Sequence, residues 1–178
     1  MKKILALDLA TRTGFALGAP GEKPRFGSIR FASAGASHEA IFGKAITWAK
    51  NTFTELAPDQ VVYEEPMHFR GGKSRAGNDE ILYGLPAIMQ GVAHNLGIHN
   101  VRKARVADVR LHFIHRNCKR EIAKRETMRR CRLLGWGVTD DNEADALALW
   151  HYACTFQDSK LAIQTSDLFL PRFPGSVP

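Results

Sequence analysis

Three acidic residues stand where a sheet protein does chemistry. Asp8 ends the apolar run ILALD, Glu64 ends the run VVYE, and Asp145 lies inside NEADALALW. Open α/β sheets bind ligands at the carboxyl ends of their strands, so Asp8 and Glu64 share a site if their strands are neighbours. Two carboxylates about 4 Å apart repel by about 4 kcal/mol at an effective dielectric of 20, and a third raises that cost, so such a site requires a cation. Oxygen-only donors are hard and suit Mg²⁺, with Mn²⁺ as a substitute, and two such ions about 3.5–4 Å apart clamp the attacking and leaving oxygens of a phosphodiester. Each acid also has a plainer reading: a strand-end turn residue for Asp8, a surface carboxylate for Glu64, an exposed helix residue for Asp145. The apolar ALALW after Asp145 weighs against the last, because an unpaired acid on an apolar face is costly.

The rest of the composition narrows the partner. The chain has 178 residues, 44% hydrophobic and 24% charged, which fits one folded domain and excludes a disordered or fibrous class. Twenty-five Lys and Arg against 18 Asp and Glu give a net charge of +7. That charge is local: residues 102–132 hold twelve Lys or Arg against Asp108, Glu121 and Glu126, a net of +9, which leaves the remainder at −2. Charge packed so closely repels itself unless an anion relieves it, and nucleic acid leads the candidate partners. Cys118, Cys131 and Cys154 are odd in number and form no C-x-x-C pair, which reads as a reducing cytoplasm. The opening MKKILALDLATRTG is broken by Asp8 and Arg12, too early for an export signal or a membrane span.

Several elements must position the acids. Strands are expected over Lys3–Leu9, Thr13–Gly18 and Arg25–Phe31, an antiparallel meander with a turn at residues 19–24. A helix over Glu39–Leu56 places Phe42, Ala45, Ile46, Ala49, Phe53 and Leu56 inward, and Gln60–Glu64 is a fourth strand. The Gly-rich basic loop at 69–79 follows, then a helix carrying Ile81, Leu82, Leu85, Ile88, Met89, Val92 and Leu96 on one face, a candidate subunit interface. Ile98–Arg102 supplies a fifth strand. Val106–His115, Glu121–Leu134 and Asp141–Ala153 read as helices, the second with Ala123, Cys131 and Leu134 inward and Lys124, Arg125, Arg129 and Arg132 outward. The acids Asp140, Asp141 and Glu143 suit the start of the last helix. This order specifies an α/β fold: a mixed five-stranded sheet, antiparallel meander plus parallel strands, flanked by helices.

Asp8 within LALDLATRTGFAL, Glu64 within VVYEEP and Asp145 within NEADALALW together resemble the RuvC-like Holliday junction resolvases of the ribonuclease H-like superfamily, over roughly residues 3–154. The resemblance implies a nuclease domain over 1–155 with a surface tail at 156–178. It implies a homodimer that resolves four-way junctions in recombination and repair by paired, Mg²⁺-dependent nicks, with Asp8, Glu64 and Asp145 as catalytic metal ligands. Three residues before Asp145 the family carries Asp or His, and here Asn142 stands as the fourth ligand position, with Asp141 as a substitute. Glu65 competes with Glu64, and the pattern of Glu, one residue, then Pro selects Glu64. Lys124 lies near a position where relatives carry a phosphate-contacting Lys. Arg70, Lys73 and Arg75, beside Glu64, and Arg125 and Arg129 are the remaining expected DNA contacts, and Phe69 is the nearest aromatic for base stacking.

Other readings are weaker. Gly72-Lys73-Ser74 imitates the end of a P-loop, but Met67 stands where its first Gly belongs, so no nucleotide cofactor is expected. DLATRTG as an ATPase phosphate loop would need a second related domain. His112, His115, Cys118 and Cys131 fit zinc spacings poorly. A non-catalytic branched-DNA binder on the same scaffold is the alternative function, motivated by Asn142.

Overall fold

The computed structural model describes residues 1–66, 76–158 and 160. Ten elements follow in order: β1 (Ile4–Asp8), β2 (Arg12–Gly18), β3 (Arg25–Arg30), α1 (His38–Leu56), β4 (Gln60–Glu64), α2 (Ala76–Asn95), β5 (Val101–Ala104), α3 (Val106–Ile114), α4 (Arg120–Leu133) and α5 (Asp141–Thr155). The sheet runs β3-β2-β1-β4-β5. β1 pairs antiparallel with β2, and β2 with β3, while β1–β4 and β4–β5 are parallel. This is the mixed sheet flanked by helices that the sequence predicts.

Strand alternation divides the interior into two cores. Leu5 and Leu7 of β1 with Val61 and Tyr63 of β4 face one way, onto Ala45, Ala49 and Phe53 of α1 and Leu85 and Met89 of α2. Ile4 and Ala6 with Val62 face the other way, onto Val109 and Phe113 of α3, Cys131 of α4, and Ala146, Leu147 and Trp150 of α5. The same period carries Asp8 and Glu64 to the α5 side and Glu65 to the opposite side. Small residues let α5 lie close: Ala6 and Ala16 meet Ala144 and Ala146 in one cluster. Gly14 is the tightest of these places, since a Cβ there would stand 1.9 Å from the Asn142 carbonyl oxygen. Further along, the Trp150 indole N–H donates to the Gly18 carbonyl at 3.0 Å and fixes the helix lengthwise.

Local signals set the ends. Ser37 caps α1, its hydroxyl accepting from the Ala40 N–H, and Ala57 closes that helix in the left-handed region at φ 41° before Pro58. Asp140 caps α5, accepting from the Glu143 N–H at 2.9 Å, while Glu143 reaches back to the Thr139 N–H at 2.7 Å and hydroxyl at 3.0 Å. Some expectations are corrected. The fifth strand is Val101–Ala104, not Ile98–Arg102: Gly97 turns the chain at φ 76°, Ile98 plugs into the core, and pairing starts only after Asn100. Ile46 is 38% exposed, with Ile41 buried on α1 in its place. The apolar face of α2 is largely spent on this chain's own core through Leu85, Met89, Val92 and Ala93, leaving Tyr83 and Leu96 exposed.

Candidate active site

β1 and β4 lie side by side with Leu7 opposite Tyr63, so Asp8 and Glu64 leave the sheet together at its carboxyl end. Asp8 also sits opposite Gly14 of β2, and that glycine's bareness lets the first turn of α5 press down on the strand. One turn later Asp145 joins the other two from α5. All three are only partly exposed. Burial, with Asp145 and Asp141 beside it, pushes the Asp8 carboxyl up to about 7, against the pull of Lys124 and Arg120. Burial, with Asp8 and Asp145, pushes Glu64 up to about 8, against Arg110. Burial, with Asp141, pushes Asp145 up to about 6, against Arg110, Lys124 and Arg120. Negative charge here thus exceeds what the neighbouring cations relieve, which is the condition expected of a cation site or an acid–base site.

The cations form a rim. The Lys124 ammonium of α4 is bonded to the Asp141 carboxylate at the mouth of the site, and that bond holds Asp141 below the usual carboxylate range. Arg110 of α3 and Arg120, which begins α4, reach the acids through space. Nothing in the sequence distinguishes these two among the twelve basic residues of segment 102–132, because only the packing of α3 and α4 against α5 brings them near the carboxylates. Arg125 and Arg129 are exposed and share Glu126, Arg129 at 3.0 Å from Oε2 and Arg125 at 3.7 Å from Oε1, where Arg116 also lies at 3.6 Å. Part of the basic segment's self-repulsion is therefore relieved internally. Glu65 lies on the other side of the strand, exposed, with the Arg105 guanidinium at 4.0 Å. Asn142 is partly buried, and its side chain helps to lower the Asp140 carboxyl. Arg70, Lys73, Arg75 and Phe69 lie outside the described residues.

The donor chemistry of Asp8, Glu64 and Asp145 suits a hard divalent ion, three carboxylates carrying more charge than their surroundings offset. Among the described residues no three acidic, histidine or cysteine side chains converge on one ion-sized position as they stand. What unites the acids is thus electrostatic coupling, not a closed ligand shell. Zinc finds no support in the residues that could suggest it. Cys131 is buried, its thiol pushed up by burial, and lies 3.9 Å from the Ala144 carbonyl; His112 Nε2 instead meets His151 Nδ1 at 2.9 Å beneath Phe113 and Trp136. No helix among the described residues is long and apolar enough to cross a membrane.

No family profile matches the chain, and no curated protein matches it. Solved structures do. Thermus thermophilus RuvC superimposes with a TM-score of 0.66 at 15% identity, covering 88% of this chain and 96% of that one. T. thermophilus RuvC in complex with Holliday junction substrate gives 0.65 at 14% identity, covering 90% and 98%. The yeast mitochondrial Holliday junction resolvase Ydc2 gives 0.54 at 9% identity, covering 92% and 84%. At these identities the likeness is one of fold: the chain has the RuvC-like, ribonuclease H-like architecture.

Proposed function

We propose that this protein is a metal-dependent, structure-selective DNA endonuclease that resolves four-way junctions and related branched DNA by paired nicks. One observation carries the reading: three carboxylates from β1, β4 and α5 are coupled by charge at the carboxyl end of two adjacent parallel strands, with Lys and Arg near them, in a chain with the fold of RuvC. Asp8, Glu64 and Asp145 would hold one or two Mg²⁺ ions, with Asn142 or Asp141 completing the set. When bound, such ions supply an activated water and neutralise charge on the scissile phosphate.

The chain's own residues do the rest. The carboxylates of Asp8 and Glu64, held at the ends of hydrogen-bonded strands, fix where the cut is made, since their backbones cannot shift without breaking the β1–β4 pairing. Lys124, anchored on Asp141, and Arg110 and Arg120 beyond it present positive charge to the phosphate as it becomes more anionic. Arg125 and Arg129 extend that track along α4 and hold the DNA by its backbone, giving affinity that falls with salt. Two copies of the chain would present two such sites, one for each strand of a pair of nicks.

The alternative reading, a non-catalytic junction binder, is favoured by Asn142, which brings no charge to the position beside the three acids. One experiment separates the two. A labelled four-way junction, a linear duplex and a single strand are incubated with wild type, Asp8→Asn and Asp145→Asn in Mg²⁺, Mn²⁺ or EDTA. Metal-dependent nicking of the junction, abolished in both variants with junction binding retained, is the expected outcome. Tight binding with no nicking in either metal establishes the binder.

A further inference from the structure

A second basic surface lies along the open edge of the sheet. A groove of about 560 Å³ runs beside β5 and the last turn of α5, and Lys2, Arg102, Lys103, Tyr152, Phe156 and Gln157 are among its lining residues. No Asp or Glu among the described residues lines it. Two acids stand outside the lining: Asp108, whose charge reaches the Tyr152 hydroxyl, and Asp158, which accepts from the Lys160 N–H at 3.0 Å. Phe156 is 75% exposed, and Tyr152 meets it edge-on with centroids 5.0 Å apart and planes at 90°. A lone exposed apolar side chain is ordinary. An exposed aromatic face braced by a second ring and set among cations is a stacking platform.

The walls are fastened in place. The Gln157 side chain accepts from the Lys2 N–H at 3.1 Å and donates to Gln60 at 3.3 Å, tying the end of α5 to the starts of β1 and β4. The Arg102 Nε donates to the Asn100 side chain at 3.2 Å, which tethers the guanidinium to a second residue of the groove's lining. Phe156 lies eleven residues beyond Asp145, about 16 Å along the helix at 1.5 Å per residue. The groove is therefore a site of its own, separate from the acidic cluster. A duplex turns its base faces inward and offers nothing to Phe156, whereas a single strand exposes a base face and flanking phosphates together.

We propose that the β5–α5 groove binds single-stranded nucleic acid, with one base stacked on Phe156 and the neighbouring phosphates on Arg102 and Lys2, which share the α5 side of the sheet with Val62 and Ile4. This binding needs no metal and does not rest on the nuclease reading. The test measures anisotropy of labelled oligo(dT) and oligo(U) of about 12 nucleotides with the full-length protein in EDTA over a range of salt. Wild type is compared with Phe156→Ala, with the double variant Lys2→Gln/Arg102→Gln, and with Lys50→Gln, exposed on α1 across the sheet, as the control. Phe156→Ala weakens binding about tenfold, and the double variant lowers the slope of log K against log salt by about 1.4. Lys50→Gln leaves both within about twofold. Preference for oligo(dT) or oligo(U) identifies the strand as DNA or RNA.

Photo-crosslinking of wild type to a 5-iododeoxyuridine oligonucleotide guards against a folding artefact in Phe156→Ala. The crosslink falls in the peptide containing Tyr152 and Phe156. The proposal is overturned by unchanged affinity in Phe156→Ala, by an unchanged salt slope in the double variant, by a crosslink confined to other peptides, or by equal displacement with polyglutamate, which would mark a surface that takes any polyanion. Junction nicking assayed separately in Mg²⁺ reports on the nuclease reading, so either idea can fail alone.

Discussion

Two groups of acids sit within six residues of one another on α5 and behave oppositely. Asp140 and Glu143 are satisfied. The carboxylate of Asp140 accepts from the Glu143 N–H, from the Ser28 hydroxyl at 2.8 Å and from Arg12 at 2.6 Å, and although burial pushes it up, these contacts hold it below the usual range. Asp145, one turn later, is raised to about 6 by burial and by Asp141. The first group fastens the helix to the β2–β3 ribbon; the second joins Asp8 and Glu64 in a cluster whose charge the fold leaves under-compensated. The contrast separates acids that hold the scaffold from acids poised to bind something.

Breaking the second group removes function and sparing the first preserves it. Asp145→Asn lowers Mg²⁺-dependent junction nicking about a thousandfold, measured in single turnover, because a charge that only the reaction needs is gone. Gly14→Ala strikes the joint between the groups. Its Cβ would collide with the Asn142 carbonyl at 1.9 Å, so the first turn of α5 must lift. The cost is about 3 kcal/mol of stability by denaturant unfolding, and nicking falls about a hundredfold as Asp145 moves off Asp8.

Stability against pH sharpens the comparison. In the unfolded chain the cluster carboxyls titrate at their ordinary values near 4, and in the folded chain at about 6 to 8. Between those values the folded state binds more protons, so the cluster's contribution to stability falls as pH rises from about 4 to about 8 and is level above that. Asp8→Asn relieves the penalty: at pH 8 without divalent ions its Tm exceeds wild type by about 5 °C, and the gap closes near pH 4. Asp140, whose carboxyl is lowered, has the opposite sign, contributing stability that is present at neutral pH and lost on acidification. Asp140→Ala costs about 1–2 kcal/mol through the lost cap and ion pair, while nicking by the folded protein changes less than tenfold. The smallest effect belongs to Arg129→Ala, already paired with Glu126: it lowers the salt slope of duplex binding by about 0.9 and leaves nicking at saturation unchanged.

The places of Asp8 and Glu64 at the ends of two short apolar runs made a shared site readable once the strands are neighbours, and the acids opening α5 marked its start. The roles of Arg110 and Arg120 were not readable. Each is one basic residue in a segment full of them, and only the angles at which α3 and α4 pack decide which side chains look toward the carboxylates. The pair of half-buried His112 and buried His151, and the buried Arg130 5.3 Å over Phe113, were hidden for the same reason: only the packing of α3, α4 and α5 brings these groups together. Ile46 shows the converse, fitting the helical period yet lying outside because α1 rolls Ile41 inward.

The account stands on Asp8, Glu64 and Asp145 acting as one divalent-ion site. Calorimetric titration of Mn²⁺ into the full-length protein at pH 7.5, repeated in buffers of different ionisation enthalpy, tests that directly. Saturable binding with net proton release, lost together in Asp8→Asn, is the predicted result, because an ion that binds a carboxylate raised to about 7 must displace part of a proton. Absence of Mn²⁺ binding, or binding that survives Asp8→Asn unchanged, would contradict it.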